Sequence, residues 1–218
     1  MKRRALTIVE IVVVVIVLGI LVTIGIPAYQ NSSERAKALA CQSNLTILKA
    51  SLDAYALDND VIPGDLSGID DKYIKKAYAE FMKKPGAWKL KLAYFIIGLE
   101  QGDLAYAGVM QDITRQDINL RKCPANLSGG VSYGINSAIK GLSSVDYSNI
   151  SSGTVLIGDS DSPEFSGTPT TQRHKKIDVF TTTAFAQGVT ASGYIYKTDK
   201  DITTSGGGGP PSQDIGPR

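Results

Sequence analysis

Histidine occurs once in this chain (His174), tryptophan once (Trp88) and cysteine twice (Cys41, Cys123). Two cysteines and one histidine are too few for a Cys-rich metal site, so a structural zinc is not expected. Hydrolytic catalysis would need a base beside a nucleophile, and no G-x-S-x-G or comparable signature surrounds any serine. No enzyme is expected on that ground. Charge of one sign is also lacking: the formal balance is +2 over 218 residues, and without Lys2, Arg3 and Arg4 twenty basic side chains face twenty-one acidic ones. A nucleic-acid partner, which needs a basic face, is therefore not expected. No repeat of 20–50 residues is visible. Aromatics are sparse near the N-terminus, with only Tyr29 and Tyr55 in the first 57 residues, so nothing there suggests an aromatic electron-transfer path.

What the chain does have is concentrated in residues 1–30. Three positive charges precede Ala5, and Leu6 to Ala28 is apolar apart from Thr7, Glu10, Gly19, Thr23 and Gly25. As a helix this run spans roughly 34 Å, enough for a bilayer core of roughly 30 Å. The basic flank should stay cytoplasmic and the remainder should be exported. A conventional signal peptide has an apolar core of about 7–15 residues and an A-x-A-like site. This core is longer, carries an acid near its start and has Pro27 near its end. Glu10 is the informative residue, because an acid at mid-bilayer costs about 2.5–3.5 kcal/mol. Thirteen Ile, Leu and Val between Ile11 and Ile26 can offset that cost,. The next basic side chain along the chain is Arg35. Cleavage between Ala5 and Leu6 would create an α-amino group, cationic near neutral pH, five residues from the acid.

Ala5-Leu6-Thr7-Ile8-Val9-Glu10 resembles the class III signal of type IV prepilins: a basic leader ending in Gly or Ala, an apolar first residue and Glu at the fifth mature position. Gly19 and Pro27 also fall where pilins usually carry glycine and proline. Ala before the cut and Leu after it replace the commoner Gly and Phe. The resemblance implies cleavage after Ala5 by a prepilin peptidase and N-methylation of Leu6. It implies assembly through Glu10, Gly19 and Pro27 into a helical homo-oligomeric filament. The implied partners are membrane lipid before assembly, an inner-membrane platform and an assembly ATPase. The implied location is the cytoplasmic (inner) membrane for the precursor, N-terminus inside, then an extracellular pilus or a periplasmic pseudopilus. A type II secretion pseudopilin is the alternative within this class, and a membrane-tethered extracytoplasmic binding domain the alternative outside it.

Residues 29–60 continue the helix. Ala38, Cys41, Leu45, Leu48, Leu52 and Tyr55 form one narrow apolar stripe, and Asp58-Asn59-Asp60 with Pro63-Gly64 ends it,. The spacing predicts one helix from about Leu6 to Leu57. Residues 61–204 would form the globular domain and 205–218, rich in Gly and Pro, a flexible tail. Residues 70–84 read as an amphipathic helix capped by Asp70 or Asp71 and stopped by Pro85-Gly86. The alternation Trp88, Leu90, Leu92, Tyr94, Ile96 suggests a strand, with a helix as the alternative. Candidate strands are Val131–Ile135, Thr154–Gly158, Ile177–Thr182 and Tyr194–Lys197. The fold class expected is α+β: a long N-terminal helix, half transmembrane and half amphipathic, on a small antiparallel sheet.

Cys41 lies on the buried stripe and Cys123 in a Lys-Cys-Pro turn. A disulfide between them would close a loop of about 82 residues and stabilise by about 4–5 kcal/mol in the chain-entropy model. Two buried free thiols are the alternative. Asp159, Asp161 and Glu164 offer oxygen ligands at short spacing, as calcium requires, but lack the EF-hand order. No cofactor is expected beyond this weak calcium candidate. His174, between Arg173 and Lys175, reads as a solvated or turn residue. A weaker similarity to prepilin-type proteins runs through Cys123-Pro124, Ser132–Asn136, Val155–Asp159 and Arg173-His174. In that group a histidine is followed after about nine residues by Asp-Gly; here only Gln187-Gly188 is available, so the similarity bears on fold alone.

Overall fold

The computed structural model describes residues 8–101, 120–126, 130–169, 171–177 and 182–199. Helix α1 (Ile8–Asn59) runs unbroken through Pro27 for 52 residues, about 78 Å at 1.5 Å per residue,. Asp60 ends it in the left-handed region (φ 57°), its N–H returning to the Ala56 carbonyl at 2.9 Å. Asp and Asn tolerate this conformation better than other side chains with a Cβ. The Asp60 carboxylate also holds the backbone N–H and the hydroxyl of Ser144.

The covered half of α1 is broader than the predicted stripe. Ala36, Ala40, Asn44, Ile47 and Ser51 are buried along with Cys41, Leu45, Leu48 and Leu52. The reason is that α1 is packed on two sides. Helices α2 (Asp71–Met82) and α3 (Trp88–Gln101) lie along one flank, and the sheet takes the other. Asp70 caps α2 by accepting from the Lys72 N–H at 2.9 Å. Arg121 ties the loop before α2 to the segment carrying Cys123, donating to Asp71, Leu66 O and Ile69 O.

Residues 88–101 are helical, which corrects the strand suggested by alternation. Leu90, Ala93, Tyr94 and Ile97 are buried at i, i+3, i+4 and i+7, whereas Trp88 and Leu92 face solvent. The apolar residues on the exposed side of α3 masked its period. At its far end Glu100 pairs with Lys37 at 2.9 Å and accepts from Ser33, fastening α3 where the covered half of α1 begins.

The sheet contains β1 (Tyr133–Asn136), β2 (Val155–Asp159), β3 (Glu164–Phe165), β4 (His174–Ile177), β5 (Thr182–Thr190) and β6 (Ile195–Asp199), with the short helix α4 (Ser144–Ser148) between β1 and β2. Its order is β3-β1-β2-β5-β4, and β6 covers the opposite edge of β5. The β1–β3 pair is parallel, so the sheet is mixed where an antiparallel one was expected. Of the third candidate strand, Ile177–Thr182, only the ends are described: Ile177 closes β4, which begins at His174, and Thr182 opens β5, which runs to Thr190, while 178–181 lie outside the described residues.

Gly134, Gly158 and Gly188 stand side by side across β1, β2 and β5. Here the chain after β2 recrosses the sheet. A Cβ on Gly134 would meet Ser162 O at 2.8 Å, and one on Gly188 would meet Pro169 Cγ at 2.9 Å. One on Gly158 would overlap the Pro169 ring. The three glycines form the floor on which that crossing segment lies.

Candidate functional site

Two features stand out against this frame: the uncovered half of α1, and a buried group of thiols, imidazole and carboxylate. From Ile8 to Val22 the side chains of α1 are exposed on every side, with Val12 to Val17 each about half accessible. This is a helix long and apolar enough to cross a membrane, and none of that apolar stretch is buried within the molecule. Glu10 lies in its first turn. Gly19 has open space where a Cβ would be, and its carbonyl accepts from the Thr23 hydroxyl at 2.8 Å. Pro27 falls within the continuous helix. Ala5 and Leu6, the predicted cleavage and methylation positions, lie outside the described residues, as do the 1–5 leader and the 205–218 tail.

Further along the same helix, Cys41 faces the sheet. The turn at Cys123 closes when its carbonyl accepts from Asn126 N–H at 2.8 Å, and it brings the Cys123 sulfur within 2.7 Å of Cys41 Sγ. Both are free thiols in this structure. Asp159, last residue of β2, and His174, first of β4, complete the group; each is fully buried. His174 Nε2 lies 3.6 Å from Cys123 Sγ and 3.5 Å from Asp159 Oδ2, and Cys41 Sγ lies 3.7 Å from Asp159 Oδ1. The Tyr133 hydroxyl is 2.8 Å from Cys41 Sγ, and Gln187 N–H donates to Asp159 Oδ2 at 2.7 Å. One donor atom from each of the four residues fits within 4.8 Å of all the others.

The electrostatics follow from this crowding. Burial raises the Cys123 thiol, but the hydrogen bonds from Cys41 and His174, with the imidazole charge, bring it down to about 6. Burial alone would lower His174; the hydrogen bonds and charges of Asp159 and Cys123 instead carry it up to about 9. Cys41, desolvated and donating to its neighbour, is pushed well up. The Cys123 thiol and the His174 imidazole are thus both shifted toward their charged forms. His174 Nδ1 and both amide atoms of Gln187 are buried without a hydrogen-bond partner among the described residues.

From the sequence, Cys41 and Cys123 were expected to form a disulfide, whereas the structure brings them together as free thiols, and His174 was expected in solvent. The structure corrects the latter: His174 starts a strand and packs its ring against Phe185, centroids 5.6 Å apart. The scarcity of cysteine and histidine had argued against metal ligation, yet one Asp supplies the fourth donor. Asp159 was grouped with Asp161 and Glu164 as an oxygen cluster, and the structure sends the three apart. Asp161 pairs with Arg173 at 2.5 Å and Glu164 with Lys140 at 3.4 Å, both at the surface, while Asp159 turns inward. A usable signal was present: Asp159 ends a run of buried strand residues, where an acid is costly without partners.

Two sets of known proteins resemble the chain. It is 34% identical over 73 residues to type II secretion system core protein G of Pseudomonas aeruginosa, covering 32% of this chain and 51% of that protein. The counterpart in Escherichia coli is 32% identical over 69 residues, 32% of this chain and 48% of that protein. Competence protein ComGC of Halalkalibacterium halodurans is 24% identical over 99 residues, 45% of this chain and 93% of that protein. These relatives are type IV pilin-like. The chain is type IV pilin-like. The long apolar helix and small mixed sheet have the α+β arrangement of that fold. This pilin-like chain spans about half the length of the secretion proteins it matches. No family model and no solved structure matches it.

Proposed function

We propose that this pilin-like chain is a structural subunit of a type IV pilus-like filament, processed by a prepilin peptidase and assembled through its N-terminal helix. The observation that carries the reading is the uncovered half of α1. The twelve consecutive apolar or small positions from Ile11 to Val22 are exposed on all sides, on a helix whose other half is clasped by its own domain. Such a surface needs lipid before assembly and neighbouring helices after it. In the assembled filament the Glu10 carboxylate would meet the Leu6 amine of an adjacent subunit, an ion pair sheltered from water. No catalytic role is part of this reading. The further partners would be an inner-membrane platform and an assembly ATPase.

Intact mass and N-terminal peptide mapping of protein from native membranes or sheared filaments test the processing step. A chain beginning at Leu6 and heavier by one methyl group is expected; one still beginning at Met1 would favour a membrane-tethered domain. Glu10→Ala should leave membrane insertion intact and reduce filament yield. Normal filaments from that variant would remove Glu10 from the mechanism. The names of the secretion relatives favour a second reading, a subunit of a secretion pseudopilus. Fractionation separates the two: a pilus subunit is recovered with sheared surface filaments, a pseudopilus subunit with the cell envelope.

A further inference from the structure

The uncovered helix does not explain why Cys41, Cys123, Asp159 and His174 converge. We propose that these four residues bind one divalent transition-metal ion of the zinc type, as a closed structural site that fastens helix α1 to the sheet.

The donor set is chemically apt. Thiolate and imidazole are preferred zinc ligands, and a carboxylate oxygen is an accepted fourth. The spacing is apt as well. Zinc bonds of about 2.3 Å to sulfur and about 2.0–2.2 Å to nitrogen or oxygen place tetrahedral ligand atoms about 3.3–3.8 Å apart. The Cys123 Sγ to His174 Nε2 separation, 3.6 Å, falls in that interval, and so does one further separation for either carboxylate oxygen: 3.5 Å from His174 Nε2 to Asp159 Oδ2, or 3.7 Å from Cys41 Sγ to Asp159 Oδ1. The sulfur pair, at 2.7 Å, has to open by about 1 Å, within reach of small χ1 rotations,. Whichever carboxylate oxygen binds, the other remains available to accept from Gln187 N–H.

Burial argues for a structural role. All four residues are at most 1% exposed, and a structural zinc site is closed where a catalytic one keeps an open position,. Outer partners that orient metal ligands are also present. The Tyr133 hydroxyl can donate to Cys41 Sγ, and Gln187 N–H fixes the Asp159 carboxylate,. Two thiolates and a carboxylate around a dication leave one net negative charge, which these two donors spread.

A Cys41–Cys123 disulfide is the competing use of the same sulfurs. It would engage two of the four groups and leave Asp159 and His174 as a buried pair at 3.5 Å, longer than the usual 2.7–3.2 Å of a good hydrogen bond,. A metal ion engages all four at once. The four ligands come from distant points of the chain, with Cys41 on α1, Cys123 in a turn, Asp159 on β2 and His174 on β4. One ion would therefore bind the helix to two strands and the turn together.

The test uses the full chain, purified in detergent from native membranes without added reductant, then analysed for zinc content, free thiols and X-ray absorption at the zinc edge. One zinc per chain, two free thiols after denaturation and scattering from two sulfur and two nitrogen or oxygen atoms are expected. Loading of the chelated, reduced protein with cobalt(II) should give thiolate-to-metal charge-transfer absorption with tetrahedral d–d bands. Asp159→Asn and His174→Gln should lower the bound metal in chains that keep the wild-type circular dichroism. Should those variants fail to fold, absorption spectroscopy of the unaltered protein still decides. An intact mass two hydrogens lighter with no stoichiometric metal would overturn the proposal in favour of the disulfide. That result would leave the filament reading untouched, since processing at Leu6 and assembly through Glu10 are read independently.

Discussion

Replacing Gly158 by alanine is the sharpest perturbation of the sheet. Gly158 sits mid-strand between Gly134 of β1 and Gly188 of β5, with Pro169 laid over it. The added Cβ would overlap the Pro169 ring, coming within 2.9 Å of its Cβ, and within 3.1 Å of the Gln187 carbonyl oxygen. Neither obstacle is the free end of a flexible side chain: one is a ring, the other backbone of the neighbouring strand. Relief would require the crossing segment to lift. Overpacking of a tight site typically costs about 1–3 kcal/mol, and the rigidity of both neighbours places this case near about 3 kcal/mol. Alanine recovers about 0.5–1 kcal/mol of strand backbone entropy relative to glycine, leaving a net loss of about 2 kcal/mol. For a chain of this size that lowers Tm by about 4–8 °C. Circular dichroism melts of the full chain in detergent would read the shift, with Gly153→Ala as control because nothing lies within 4 Å of its Cβ position. Equal midpoints for the two variants would refute the argument that Pro169 rests on the glycine floor.

Leu48→Ala, at a fully buried position between α1 and its coverings, should cost about 2–5 kcal/mol in urea titrations with an unchanged m-value,. In the reduced, metal-free protein the contribution of His174 and Cys123 to stability should rise up to about pH 6.5 and stay level above it,. His174, raised from its ordinary 6.5 to about 9, contributes stability that is complete below the lower value and lost as pH rises through the higher,. Cys123, lowered from 9.0 to about 6, contributes stability that is complete above the higher value and lost as pH falls through the lower,. The His174 loss and the Cys123 gain offset each other above about pH 6.5, so denaturant melts should give similar midpoints at about pH 7.5 and 10 and a lower one at about pH 5; a midpoint highest at about pH 5 would refute the two opposed shifts,.

Much of this architecture was legible in the sequence. The end of α1 was written in Asp58-Asn59-Asp60, because a left-handed cap needs a residue such as Asp60 that tolerates positive φ. The cap and stop of α2 were likewise readable, as spacing and turn chemistry are local. Helix α3 was not, since Trp88 and Leu92 are apolar but exposed and imitate a period of two. His174 was misplaced for a different reason. Its neighbours Arg173 and Lys175 suggest solvent, but in a strand successive side chains point to opposite faces, so charged neighbours leave a central residue free to turn inward. Asp159 illustrates the limit again. Its partners lie 28 and 118 positions away, and no local pattern announces them.

The continuity of α1 also has a mechanical side. Its helical turns run continuously from Ile8 to Asn59, lacking only the one hydrogen bond that Pro27 cannot donate, so tension applied to the apolar half travels along the backbone axis into the stretch clasped by the domain,. The domain holds that stretch from Ser33 to Ala56, and Cys41 lies within the grip. A pull along the axis loads the contacts between helix and sheet in shear, and the tie from Cys41 to Cys123, Asp159 and His174 stands across the plane of slip. The link that joins four separate segments chemically would thus act as a shear pin, keeping the helix from being drawn out of its own domain.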